Sequence, residues 1–222
     1  MTEKNRHRLR HLQDERTLRR LLDLPERLFA RGGGARTPHA AALAREDAVA
    51  LALLLICPVR ISNIAGIHIE RHLHRPGNGR VFLVLSEYEV KNGQPMEFEL
   101  PDDVRRMIDN HLATRAPALC PTGTPWLFPR RDGSAPMEGN PLSRRLAKRL
   151  RKEIGLEMNA HLFRHLAAMI WLDANPGAYE AVRRLLGHAE LSHTINLYSG
   201  LEARAAIAAY GRVVAEKRGR KT

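Results

Sequence analysis

The sequence predicts a domain that is mainly α with one small antiparallel β-sheet near its front, an α+β arrangement. Three observations predict it. A stretch from about 39 to 57 is apolar nearly all round from Val49 onward, as a buried central helix requires. Two strand-like segments, 81–85 and 96–100, flank Lys91-Asn92-Gly93, a step that tolerates the positive φ of a hairpin turn. Beyond about residue 140 the apolar residues recur at helical spacing almost to the end.

Taken in order, residues 1 to about 30 read as one or two short basic helices, with Leu18, Leu21, Leu22, Leu24 and Leu28 as a partial apolar stripe. Gly32-Gly33-Gly34 and Pro38 break the pattern and read as a linker, so the chain divides into a basic segment 1–38 and a domain 39–222. Pro58 ends the long helix, and Arg60 follows the break. A short helix is expected at 62–66 with Ser62 as its cap. Strands are expected at 67–69, 81–85 and 96–100, the last alternating Met96, Phe98 and Leu100 with Glu97 and Glu99. Pro101-Asp102-Asp103 opens a helix to about 112, and a short segment at 126–128 follows a Pro-rich loop. Leu142, Leu146, Leu150 and Ile154 then mark an i, i+4 stripe on a helix whose other face carries Arg144, Arg145, Lys148 and Arg149. Helices at about 161–173, 178–186 and 202–217, with a short one near 192–198, complete the chain. Gly187 stands where it would stop the third from last.

The 222 residues carry a formal net charge of +12. Such an excess repels itself when folded, and a polyanion relieves the repulsion, which points first to nucleic acid and second to an anionic membrane surface. With 44% hydrophobic residues the chain has enough apolar material for a core. The longest apolar run, 49–57, is too short to span a bilayer, and the charged amino end lacks a signal-peptide core, so a cytoplasmic, nucleoid-associated protein is expected. Cys57 and Cys120 read as ordinary reduced thiols. His68, His72 and His74 lack the carboxylate–histidine pattern of a zinc enzyme, so no metal site is expected.

The informative strings lie in the last third: NAHLFRHLAAMIWL and VRRLLGHAELSHTINLYSGLE. His161 and Arg164 stand three apart and share a helical face. Leu186-Gly187-His188 comes next, then Tyr198. Upstream are Arg60, after the buried helix, and Lys91, the sole lysine between Lys4 and Lys148, in the hairpin turn. This ordered set resembles the tyrosine recombinases of the phage-integrase type, over about residues 40 to 210. Two details depart from the usual pattern. The His-to-Tyr spacing is ten rather than about nine, and Asn63 stands where a glutamate usually follows the first arginine.

The chemistry needs these groups on its own terms. A phosphodiester repels nucleophiles and gathers further negative charge as it is attacked, so two permanently charged bidentate donors, Arg60 and Arg164, form the natural clamp, and His188 adds a third donor. A phenol is protonated at neutral pH, so Tyr198 must lose its proton as it attacks, and His161 is the expected acceptor. Lys91 is the expected general acid for the leaving 5′ oxygen. The resemblance implies a 3′-phosphotyrosyl intermediate and a free 5′ hydroxyl. One phosphodiester is exchanged for another, so neither ATP nor a metal is called for.

Each residue also has an ordinary reading. Arg60 would cap a helix, Lys91 would be an exposed turn lysine, and His161, His165 and His188 would be polar residues at helix ends. Tyr198 would be a core aromatic, with Tyr88 or Tyr210 as rival nucleophiles. Arg144, Arg145, Lys148 and Arg149, with the amino-terminal KNRHRLR, are expected to track phosphates of double-stranded DNA. The tail residues Ala205, Ala206, Ile207, Ala209, Tyr210, Val213 and Val214 resemble the segment that docks onto a neighbouring protomer, which implies a homotetramer on DNA; packing in cis on the same chain is the alternative. About 35 residues precede the expected core, too few for the separate helical amino-terminal domain such proteins usually carry. Site-specific recombination is the leading reading. A type IB topoisomerase-like activity and a non-catalytic DNA-binding relic are the alternatives.

Overall fold

The computed structural model describes residues 3–201 and 203–219 and, within them, leaves out the side chains of Lys4, Leu201, Ala203, Arg204, Ala205 and Ala208. The basic amino-terminal segment forms α1 (Glu3–Arg10), a 3-10 turn (His11–Gln13), α2 (Glu15–Leu22) and α3 (Leu24–Gly32). Asp14 starts α2 by accepting from the Thr17 amide at 2.8 Å, the usual service of a short acidic N-cap. Leu9, Leu12, Leu21, Leu24 and Leu28 are all buried in the main core. Gly33 and Gly34 make the turn that follows α3. Gly32 is the last residue of α3, and a Cβ there would meet the Ala41 carbonyl oxygen at 3.1 Å, so the close approach of α3 to the next helix needs glycine.

That next helix, α4 (Pro38–Ile56), starts with Pro38 at its first position and Thr37 accepting from the Ala40 amide. Every residue from Ala48 to Leu54 is buried, so the helix runs through the middle of the molecule. The expected short helix is α5 (Ile61–Ala65), with Arg60 rather than Ser62 at its N-cap.

The sheet corrects two expectations. Residues 67–69 are not a strand of it: they make one bridge, His68 to Trp126, and Ile69 opens α6 (Ile69–His72). The first strand is instead β1 (Leu73–Gly77), which pairs antiparallel with β2 (Arg80–Leu85), and β2 with β3 (Met96–Glu99). β1 contains Pro76 and no alternation, which an edge strand tolerates. On β2, Val81, Leu83 and Leu85 point into the core.

The remaining helices are α7 (Asp102–Thr114), α8 (Gly139–Ile154), α9 (Ala160–Ala174), α10 (Tyr179–Leu186), α11 (Leu191–Tyr198) and α12 (Ala203–Lys217). Arg115, past α7, donates to the carbonyls of Thr124, Trp126 and Leu127 and organises the loop before α8. Among the described residues no helix is long and apolar enough to cross a membrane.

Beside Arg115 the core holds His111, fully buried on α7, its ring stacked near Phe128. Burial first, then the charge of Arg115, pulls its pKa down to about 3. Unfolded, the ring would titrate near 6.5. As pH falls through that window the unfolded chain takes up a proton that the folded chain refuses, and stability falls by about 1.4 kcal/mol per pH unit for this group. Urea unfolding of His111→Leu should therefore show a shallower loss between pH 6 and 4.5, by about one proton. An unchanged slope would mean that the ring ionises freely in the fold.

Candidate active site

Four helix ends and one turn converge on a cavity of about 670 Å³. Arg60 reaches it from the start of α5, where Pro58 has broken the long helix. Arg164 enters from α9, 5% exposed, and its guanidinium is shared between two helix ends: one nitrogen donates to the Pro58 carbonyl at 2.6 Å, another to the Leu186 carbonyl at 2.8 Å. This arginine thus ties the break after α4 to the end of α10. Its burial, and Arg60 beside it, lower its pKa to about 10, which leaves it charged at neutral pH.

Gly187 ends α10 with φ +61°, and a Cβ there would stand 3.0 Å from the Met96 sulfur, so both conformation and space call for glycine. The turn delivers His188 to the cavity. Its Nδ1 lies 2.9 Å from the Thr194 hydroxyl, and burial draws its pKa down to about 4.

Tyr198 closes α11 and lines the same cavity, though only 1% of it is exposed. Its ring lies parallel to that of His188, with centroids 6.3 Å apart. The phenol is 3.0 Å from Nδ1 of His165. Burial raises the phenol pKa, with Arg164 acting in the opposite direction, so the hydroxyl stays protonated and donates. Burial and the neighbouring His161 hold His165 near 4, so its ring is neutral and accepts. The sequence points to His161 as the proton acceptor. The structure places that ring at the exposed edge of the cavity, edge-on to His165 at 4.9 Å, while His165, one turn further along α9, makes the hydrogen bond.

Lys91 stands in the β2–β3 connection, exposed, and it is the adjacent Asn92 that lines the cavity. Asn63 steadies that connection by donating to the Glu89 carbonyl at 2.7 Å, and the Glu89 carboxylate accepts from Ser86 and pairs with His72 at 2.7 Å. His193 also lines the cavity, its ring edge-on to His188 at 5.2 Å. Among the described residues no three His, Cys, Asp or Glu side chains converge as metal ligands would.

The four residues expected to track phosphates separate into two pairs. Arg145 binds Glu46 at 2.5 Å and Asp47 at 2.7 Å, and Arg149 binds Asp47 at 2.8 Å. Both carboxylates are buried on α4, so these arginines are committed to the interior of the fold. Arg144 and Lys148 face solvent.

The sequence matches the phage integrase family across residues 15–204. The chain belongs to the phage integrase family. Among solved structures it resembles the XerH site-specific recombinase bound to its difH substrate in a pre-cleavage complex, with a TM-score of 0.58 and 19% identity over 77% of this chain and 47% of that one. It also resembles the XerA recombinase, with a TM-score of 0.57 and 17% identity over 86% of this chain and 63% of that one. A third is the Tn1549 transposon integrase in complex with circular intermediate DNA, with a TM-score of 0.55 and 18% identity over 85% and 64%. The chain therefore spans from about half to just under two thirds of these proteins. No curated protein matches the sequence. This phage integrase family member has the tyrosine recombinase catalytic-domain fold, and the matched span takes in α2 and α3.

Proposed function

We propose that this chain is the catalytic domain of a site-specific DNA recombinase or integrase that cuts and rejoins strands through Tyr198. The observation that carries the reading is one cavity lined by Arg60, Arg164, His188 and Tyr198, with the phenol hydrogen-bonded to a neutral imidazole. A scissile phosphate seated there is clamped by the two guanidinium groups and receives a further hydrogen bond from His188. Tyr198 Oη attacks phosphorus as its proton passes to His165 Nδ1. The bond to the 5′ oxygen breaks, and that oxygen takes a proton from Lys91. The products are a 3′-phosphotyrosyl bond and a free 5′ hydroxyl, and the reverse sequence with a new 5′ hydroxyl completes strand transfer.

The partner is double-stranded DNA. Arg144 and Lys148 bind its phosphates, whereas Arg145 and Arg149 serve stability. Replacing Arg144 and Lys148 by Ala should flatten the salt dependence of duplex binding by about 0.9 for each phosphate no longer neutralised, with Tm unchanged. Replacing Arg145 and Arg149 together by Ala strands the fully buried Asp47, which both arginines hold, and should cost about 3–5 kcal/mol in urea unfolding. The opposite pattern would exchange the two roles.

On α12, Ile207, Tyr210 and Val213 are 70%, 71% and 51% exposed at near-helical spacing. This uncovered stripe supports docking onto a neighbouring protomer in a homotetramer on DNA.

The deciding experiment is incubation with a nicked suicide duplex bearing a cognate site, followed by denaturing electrophoresis. A covalent adduct that then exchanges strands supports the recombinase. An adduct with only supercoil relaxation by a monomer moves the protein to the topoisomerase-like reading, and duplex binding without any adduct to a non-catalytic relic.

A further inference from the structure

The turn that carries Lys91 is closed by the Gly93 amide donating to the Val90 carbonyl at 3.0 Å, so Lys91 and Asn92 are its two central residues. An asparagine in such a place ordinarily serves the turn itself, capping nearby backbone or facing water. Asn92 does neither. Its Nδ2 donates to the Gly187 carbonyl at 2.6 Å, 95 residues along the chain, and its Oδ1 accepts from Arg60 Nη2 at 3.4 Å. The side chain is half-buried at the wall of the cavity. The turn beneath it is held by buried Val90 and by the bonds that Glu89 makes with Ser86, His72 and Asn63.

Three groups of the site are therefore joined through one carboxamide. Lys91 precedes it in the chain, Arg60 leans on its oxygen, and the carbonyl it fixes belongs to the residue before His188. The N–H of that peptide, on His188, donates to the Arg183 carbonyl at 2.9 Å, and the Asn92 amide holds its other end, the Gly187 carbonyl. We infer that Asn92 is a positioning residue that locks the lysine turn, the Arg60 guanidinium and the Gly187–His188 turn into one arrangement around the phosphate. The inference deepens the strand-transfer reading and rests on it.

Single-turnover adduct formation on the nicked duplex tests it, with wild type, Asn92→Ala and Asn92→Asp, each also in an Arg60→Ala background. Asn92→Ala should slow cleavage about tenfold or more with little change in duplex affinity, and should have much less effect once Arg60 is gone, because coupled groups are not additive. Asn92→Asp keeps an acceptor for Arg60 but turns a negative oxygen toward the Gly187 carbonyl, so it should be as slow as Ala. Since Asp suits such a turn as well as Asn, it also serves if the alanine protein folds poorly. Full activity of Asn92→Asp, or an equal slowing by Asn92→Ala with and without Arg60, overturns the inference. If wild type itself forms no adduct, the strand-transfer reading fails, and ¹H–¹⁵N spectra decide the positioning role. The Arg60 side-chain signal and the His188 amide must shift in Asn92→Ala, and unmoved signals overturn it.

Discussion

Tyr198→Phe should form no covalent complex with a nicked suicide duplex while still retarding that duplex on a native gel. The substitution removes one oxygen atom, and that atom is the nucleophile of the proposed reaction. Tyr88 is 90% exposed and Tyr210 71% exposed, and neither lines the cavity that holds the two arginines, so neither is placed within this chain to substitute. The variant also loses the hydrogen bond to His165 Nδ1, which leaves a buried acceptor unpaired at a cost of about 1–3 kcal/mol. For a chain of this size that lowers Tm by several degrees, about 2–4 °C per kcal/mol, and leaves the protein folded at assay temperature. Loss of the adduct with binding retained thus reports chemistry and not collapse. An adduct formed by Tyr198→Phe would remove Tyr198 from the reaction.

In the proposed reaction the same bond keeps a buried phenol ready without making it reactive. Burial favours the neutral hydroxyl, and His165 is itself held neutral, so the pair stores no charge until a phosphate draws Tyr198 into attack. In that reaction the phosphate completes the site electrostatically: its charge offsets Arg60 and Arg164, and it is burial first, then the neighbouring Arg60, that lowers the Arg164 pKa.

Much of this was legible in the sequence, for physical reasons that can be named. The central helix α4 and the stripe Leu142, Leu146, Leu150, Ile154 are repeated local patterns, and local patterns survive folding. Arg60, Arg164, His188 and Tyr198 were legible as an ordered set, each at an element boundary with its own signal: a proline break, a shared helical face, a glycine stop. What failed depended on partners far along the chain. The charges of Arg145 and Arg149 read as a DNA-facing surface because nothing local reveals that Glu46 and Asp47 lie opposite them. That Tyr198 hydrogen-bonds His165 and not His161 depends on which face of α9 meets α11. Asn92 read as a turn residue because its partner is Gly187. β1 escaped notice because an edge strand with a proline and no alternation borrows its regularity from β2.

Arg164→Lys should lose activity almost as completely as Arg164→Ala, although it keeps the charge. The guanidinium uses two nitrogens on the carbonyls of Pro58 and Leu186 and has its remaining N–H groups for a phosphate, a division that only a planar five-donor fork allows. An ammonium on a flexible stem meets at most part of that set. One carbonyl left unpaired in a buried place costs about 1–3 kcal/mol of stability. Loss of a preorganised donor to the transition state costs about 10²–10³ in cleavage rate. Arg60→Lys makes the contrast, because Arg60 is only half-buried and, among the described residues, its one hydrogen bond is the long one to Asn92. It should lower the cleavage rate with little change in Tm, whereas Arg164→Lys lowers both. Thermal unfolding and single-turnover cleavage on the two variants separate the roles. An Arg164→Lys protein with wild-type Tm and wild-type rate would show that the fork at position 164 holds neither the two helix ends nor the phosphate.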